Sequence, residues 1–175
     1  MARTLVLIRH AKAEHLYDRA DRDDHDDHGR ALAGRGRRDA TAIGRWLRAQ
    51  DVEPQVAVVS SARRTRETYE LLAAELPGAP GPVVTDDVYY ASAGDLLEIV
   101  RALPPEAASA AIVGHNPGIG MLANALDDGE SAVEDTARMR AGFPTSSVAV
   151  FTVGGDWTVV DPGAVRLVGY TVARG

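Results

Sequence analysis

The sequence predicts an α/β fold: three layers, αβα, with a mainly parallel central sheet and an antiparallel hairpin at its C-terminal edge. Three observations carry this prediction. Short apolar runs alternate with segments whose apolar residues recur at helical spacing. The early runs are continuous rather than alternating, as strands covered on both faces require. Near the C-terminus the pattern changes to alternation around a Gly-containing turn, which reads as antiparallel pairing.

The elements follow in order. Leu5-Val6-Leu7-Ile8 form a first strand that ends abruptly in Arg9-His10. A polar stretch over residues 12–35 leads to a helix from Gly36 to Ala49, with Ala40, Ile43 and Leu47 on one face. Val56 to Val59 make a second strand, ending in Ser60-Ser61, and the next helix aligns Tyr69, Leu72, Ala73 and Leu76. Pro77 to Pro82 is a break. Val83-Val84 is a weak third strand. A helix from Gly94 to Leu103 stops before Pro104-Pro105. Ala110 to Val113 is a fourth strand running into Gly114-His115-Asn116-Pro117-Gly118, and Ile119, Leu122, Ala123 and Leu126 mark the helix after it. Ser147 to Val153, the turn Gly154-Gly155-Asp156 and Trp157 to Val160 read as a hairpin, with one more strand over residues 165–172.

Composition narrows the function. A chain of 175 residues without repeats or a long linker reads as a single domain, residues 1–175. The net charge of −6 argues against binding nucleic acid or an anionic membrane. With no cysteine there is no disulfide frame, thiolate nucleophile or Cys-based zinc site. No apolar stretch is long enough for a membrane span, and no signal-like segment opens the sequence, so the expectation is a cytoplasmic protein.

Three strand ends carry the residues with chemistry: Arg9 and His10; Ser60-Ser61 followed by Arg63, Arg64 and Arg66; His115 and Asn116. In a parallel sheet these ends share an edge, where α/β proteins bind ligands. Arginine offers a planar fork of donors suited to phosphate oxygens, and a histidine among arginines can act as nucleophile or acid–base. Asn116-Pro117 has the form of a helix start, Asn as N-cap and Pro at the first position, where free N–H groups favour an anion. Arg63, Arg64 and Arg66 could equally well solvate a helix face.

These motifs, in this order, resemble the histidine phosphatase superfamily, the fold of phosphoglycerate mutases and histidine acid phosphatases. Arg9-His10-Ala11 is similar to the family's Arg-His-Gly, with Ala11 for Gly, and Arg9 to Lys12 resembles the small SixA-type phosphohistidine phosphatases. Ser60 to Thr68 resembles a Ser-…-Arg-x-x-Gln-Thr segment; aligned on Thr68, the arginine is Arg64 and Glu67 replaces Gln. Val113 to Gly118 resembles Gly-His-Asn-Pro. Arg30-Ala31-Leu32 with Gly36 resembles an Arg-Pro-Leu-…-Gly loop, with Ala31 for Pro. The resemblance covers about residues 4–126.

The resemblance implies that His10 attacks phosphorus and becomes a phosphohistidine that water hydrolyses. It implies that Arg9, Arg64 and His115 hold the phosphoryl oxygens, with Asn116 and Arg30 as further phosphate contacts, and that no metal or cofactor takes part. The expected partner is a protein carrying phosphohistidine, or a small phosphorylated substrate, with a phosphate ion in the pocket. Many members supply a carboxylic acid soon after the third strand. Here Val88 to Gly94 has none, and Asp86 and Asp87 precede the place. A missing acid fits a weak P–N bond better than an alkyl ester. Asp18 and Asp87 are the candidates for an acid entering the site from elsewhere.

A rival site lies in the acidic stretch 18–28, where His25 and His28 among several Asp could ligate a divalent metal. Its plainer readings are a solvated loop or a charged rim to the pocket. The expected function is therefore a phosphatase with a covalent intermediate on His10, acting on protein phosphohistidine. The alternatives are a phosphatase of small phosphate esters and a non-catalytic phosphoryl-binding module.

Overall fold

A computed structural model describes residues 2–15 and 26–175. Its centre is one six-stranded sheet in the order β3-β2-β4-β1-β5-β6. The strands are β1 (Arg3–Arg9), β2 (Val56–Ser60), β3 (Val83–Thr85), β4 (Ser109–Gly114), β5 (Ser147–Val153) and β6 (Arg166–Val172). β1 to β4 are parallel; β5 and β6 are antiparallel to their neighbours in the sheet. The helices are α1 (Gly34–Ala49), α2 (Arg63–Ala73), α3 (Ala93–Arg101), α4 (Gly118–Leu126) and α5 (Val133–Ala141).

The continuous apolar run in β1 is explained by its two covered faces. Successive side chains point to opposite sides of a strand. Leu5 and Leu7 therefore join Leu96, Ile112, Ile119 and Phe151 in the core under α3 and α4, while Val6 and Ile8 join Ile43, Leu47, Val59 and Leu72 under α1 and α2. All four side chains of Leu5 to Ile8 are fully buried. The three-layer expectation, mainly parallel with antiparallel C-terminal strands, is the architecture observed.

Two glycines set close approaches near the strand ends. A Cβ on Gly36 would stand 2.0 Å from the Lys12 carbonyl oxygen, so only glycine lets α1 begin against the backbone that follows His10. A Cβ on Gly118 would stand 2.1 Å from the Ala91 carbonyl oxygen, where α4 begins.

Two local expectations are corrected, and one helix is added to them. Trp157 to Val160 is not the returning strand of a hairpin. It holds a single 3-10 turn, Trp157–Val159, and β5 pairs with β6 instead. A strand would put Trp157 and Val159 on one face, yet Trp157 is buried, its indole N–H donating to Ala107 O at 3.0 Å, while Val159 is exposed. Asn116 does not cap α4: Pro117 occupies the N-cap position, no side chain caps that end, and the Asn116–Pro117 peptide is cis. Finally, α5 is a helix that periodicity does not reveal, because it buries only Thr136 and Met139 and has no apolar stripe.

Candidate active site

Register brings the predicted strand ends to one level. Arg9 lies opposite Gly114 across β1–β4, Val59 opposite Val113 across β2–β4, and Ser60 opposite Thr85 across β2–β3. Because β4 lies between β1 and β2, His115 emerges between His10 and the first turn of α2, which carries Arg64. The main chain at His10 is fixed on both sides. Its N–H donates to Gly114 O at 3.1 Å, and its carbonyl accepts from Ser146 N–H at 3.1 Å. The next residue, Ala11, donates its N–H to Thr68 Oγ1 at 3.0 Å, and that hydroxyl donates to Arg64 O at 2.6 Å.

His10 is buried and its tautomer is determined by a carbonyl. Nδ1 lies 2.8 Å from Ala11 O, which can only accept, so Nδ1 carries the proton and Nε2 keeps its lone pair. Arg64 Nε donates toward that Nε2 at 3.3 Å. The pKa of His10 is lowered to about 3, first by burial and then by His115, Arg64 and Arg9; the Ala11 hydrogen bond opposes them. The arginines thus keep the ring neutral as expected, but burial is the larger cause.

His115 is ordered the other way round. Its Nδ1 accepts from Arg64 Nη2 at 3.2 Å, so Nε2 carries the proton and donates to Ser60 Oγ at 2.7 Å. Its pKa is also lowered to about 3, by burial first and then by Arg64. The two rings lie 5.1 Å apart. Arg9 donates through Nη1 to Phe143 O at 3.0 Å, and its Nε is buried without a hydrogen-bond partner among the described residues. Burial and the neighbouring Arg64 pull its pKa below the ordinary value. Among the described residues no carboxylate pairs with Arg9. The cluster therefore combines a neutral, lone-pair-bearing imidazole with an excess of fixed positive charge, the combination needed to bind an anionic phosphoryl group and attack its phosphorus.

The other predicted residues are placed as follows. Arg64 is the buried arginine of α2; Arg63 is half exposed and pairs with Glu67 at 2.7 Å. Glu67 also accepts from Leu32 N–H at 2.7 Å, tying α2 to the 30–32 loop. Arg30 turns to Asp27, with Nη2 at 2.6 Å, and to the Glu14 carbonyl. Asn116 donates to Phe143 O at 2.8 Å, the same oxygen that Arg9 uses. Asp86 accepts from Ser61 Oγ and Asp87 from Thr85, so neither reaches Arg64. Asp18 and His25 lie outside the described residues. His28 donates to Ser61 Oγ at 2.8 Å, and among the described residues no three His, Asp or Glu side chains group as a metal site.

Two residues of the site were not singled out in the sequence. Asp27 accepts from Arg64 Nη2 at 3.0 Å through its carboxylate, and from Arg64 Nη1 at 2.7 Å through its backbone carbonyl. Tyr89 donates to the same carboxylate at 2.9 Å, stacks edge-on to His28 and His115, and lies beneath the Arg64 guanidinium. Burial acts to raise the Asp27 pKa, but the Tyr89 hydrogen bond and the charges of Arg64 and Arg30 outweigh it and leave the carboxyl below its ordinary value. The stretch after β3 that lacks an acid thus supplies a tyrosine that grips an aspartate from another loop. The available signal was only the acidic run before Arg30.

Comparison with known proteins agrees with this geometry. The family model for the histidine phosphatase superfamily (branch 1) matches residues 5–89. The uncharacterized protein ML1117 of Mycobacterium leprae is 33% identical over 167 residues, covering 95% of this chain and 100% of its own. A solved structure of the candidate phosphohistidine phosphatase SixA from Nakamurella multipartitia superposes with a TM-score of 0.81 at 28% identity, covering 99% of this chain and 97% of that one. The protein histidine phosphatase SixA complexed with tungstate shares the fold, with a TM-score of 0.73 at 23% identity and 97% and 96% coverage.

Proposed function

Because the chain belongs to the histidine phosphatase superfamily, we propose that it is a phosphatase working through a covalent intermediate on His10 and that its substrate is protein phosphohistidine. The observation that carries the chemistry is the Ala11 carbonyl bond, which puts the ring proton on Nδ1 and leaves the His10 Nε2 lone pair unprotonated, with only a long 3.3 Å contact from Arg64 Nε to give up. Nε2 attacks phosphorus in line with the leaving atom. Arg9, whose Nε has no hydrogen-bond partner among the described residues, and Arg64 take the non-bridging oxygens and offset the charge that develops on them. His115 is a third contact, and Asn116 a fourth from the α4 side. Water then attacks the phosphohistidine, and the P–N electron pair returns to His10 Nε2. The guanidinium groups supply the positive charge, so the reading needs no metal.

Three things support phosphohistidine as the substrate. The likeness in shape extends over the whole chain to SixA-type proteins. The described rim is exposed, with Tyr90 at 84%, which suits a side chain presented by another protein. A P–N bond is weak once its nitrogen is protonated, so it makes modest demands on the enzyme. The SixA that shares this fold is complexed with tungstate, a tetrahedral oxyanion, which supports a phosphorylated substrate for this chain.

The test compares a histidine-phosphorylated protein with an alkyl phosphate ester, in wild type and His10→Ala. Acid-labile phosphate trapped on His10 and faster turnover of the phosphoprotein are expected. Faster turnover of the ester would remove the phosphohistidine assignment, and turnover surviving in His10→Ala would remove the covalent mechanism.

A further inference from the structure

We propose that Asp27 is the general acid of the reaction, delivering the proton to the leaving atom after a bound phosphoryl group displaces its carboxylate from Arg64. This rests on the phosphatase reading above. Among the described residues Asp27 is the only carboxylate paired with Arg64, and its side chain is 37% exposed, so it stands at the mouth of the site with the leaving group. Arg64 does not need this carboxylate for its own orientation. Its Nε is directed at His10 and its Nη1 is held by the Asp27 backbone carbonyl. The carboxylate occupies Nη2, a donor that a phosphoryl oxygen would claim.

Displacement leaves Asp27 within reach, because the backbone carbonyl remains on Arg64 and the Tyr89 hydroxyl remains on the carboxylate. The groups facing it are Arg64, Arg30 and Tyr89. Loss of the Arg64 contact and arrival of a dianion both favour the protonated carboxyl. The step then balances. The His10 Nε2 lone pair forms the bond to phosphorus and the bond from phosphorus to the leaving atom breaks. Its electron pair goes to that atom, which takes the Asp27 proton. In the second half the Asp27 carboxylate accepts a proton from the attacking water, and the P–N pair returns to His10.

The experiment measures phosphorylation of His10 by phenyl phosphate and by 4-nitrophenyl phosphate, whose leaving group departs without a proton. For Asp27→Asn, the expected loss is about 100-fold or more with phenyl phosphate, and less than about tenfold with 4-nitrophenyl phosphate. Asp27→Glu should restore part of the phenyl phosphate rate. Equal losses on both substrates would overturn the proposal and leave Asp27 as a positioning residue for Arg64. Wild-type protein that turns over neither these esters nor a histidine-phosphorylated protein would instead overturn the phosphatase reading on which it rests.

Discussion

The inner cluster of Arg9, His10, Arg64 and His115 differs in construction from the rim of Asp27, His28, Asp86 and Tyr89. The inner residues sit at or one step beyond strand ends, or in the first turn of a helix. Each is directed by a main-chain carbonyl or a neighbour within the cluster. The rim is built from loop residues that hold one another through side-chain contacts, two of them to carboxylates: His28 donates to Ser61, Ser61 to Asp86, and Tyr89 to Asp27. The inner cluster can hold its geometry without a ligand, whereas the rim can rearrange around one. A phosphoryl-transfer site needs both, a fixed clamp for the oxygens and an adaptable mouth for the leaving group.

The sharpest way to break this contrast is His10→Ala, which should lower turnover about 10⁴-fold or more in a steady-state phosphatase assay. A loss of that size from a rim residue alone would erase the distinction. Arg64→Ala should cost about 10²- to 10³-fold, because one preorganised donor group to the phosphoryl oxygens is removed. The same assay on Arg63→Ala should show little change, since Arg63 faces solvent and Glu67.

Acid sharpens the contrast from the side of stability. His10 and His115 stay neutral in the folded protein down to about pH 3, while an unfolded chain takes up those protons near pH 6.5. The unfolded state binds more protons throughout that window. Stability is therefore fully present above pH 6.5 and is lost as pH falls toward 3, by up to about 1.4 kcal/mol per pH unit for each histidine. Denaturant melts between pH 7 and 4 check this, and His115→Asn should flatten the slope.

Gly36→Ala should destabilise by about 1–3 kcal/mol in a thermal or denaturant melt, since α1 must back away from Lys12 O. It should also lower activity, because the backbone it displaces follows His10. A smaller loss of activity is expected for Tyr89→Phe, about 0.5–1.5 kcal/mol in transition-state stabilisation, from the loss of one hydrogen bond to Asp27.

The same division explains what could be read from the sequence. Leu5 to Ile8 announce a strand covered on both faces, and a polar residue placed after such a run must emerge at the sheet edge. Arg9, His10 and His115 were legible for that reason, and alignment on Thr68 distinguished Arg64 from Arg63. Asp27 was not, because its partner lies 37 residues away and its own neighbourhood is an acidic run with no periodicity. Tyr89 was hidden likewise: nothing local says that a tyrosine after β3 will close over an arginine of α2. Trp157 misled because a bulky apolar residue after a Gly turn fits a strand as well as a core plug, and only the Ala107 carbonyl decides.

One oxygen atom ties the unmotivated last third of the chain to the chemistry. Phe143 O receives both Arg9 and Asn116, and three residues later Ser146 N–H holds the His10 carbonyl. The segment between α5 and β5 thus behaves as a jig: it gauges the spacing between His10, Arg9 and the start of α4. A protein cut short before Phe143 would keep every motif residue of the site and lose the tolerances to which they are set.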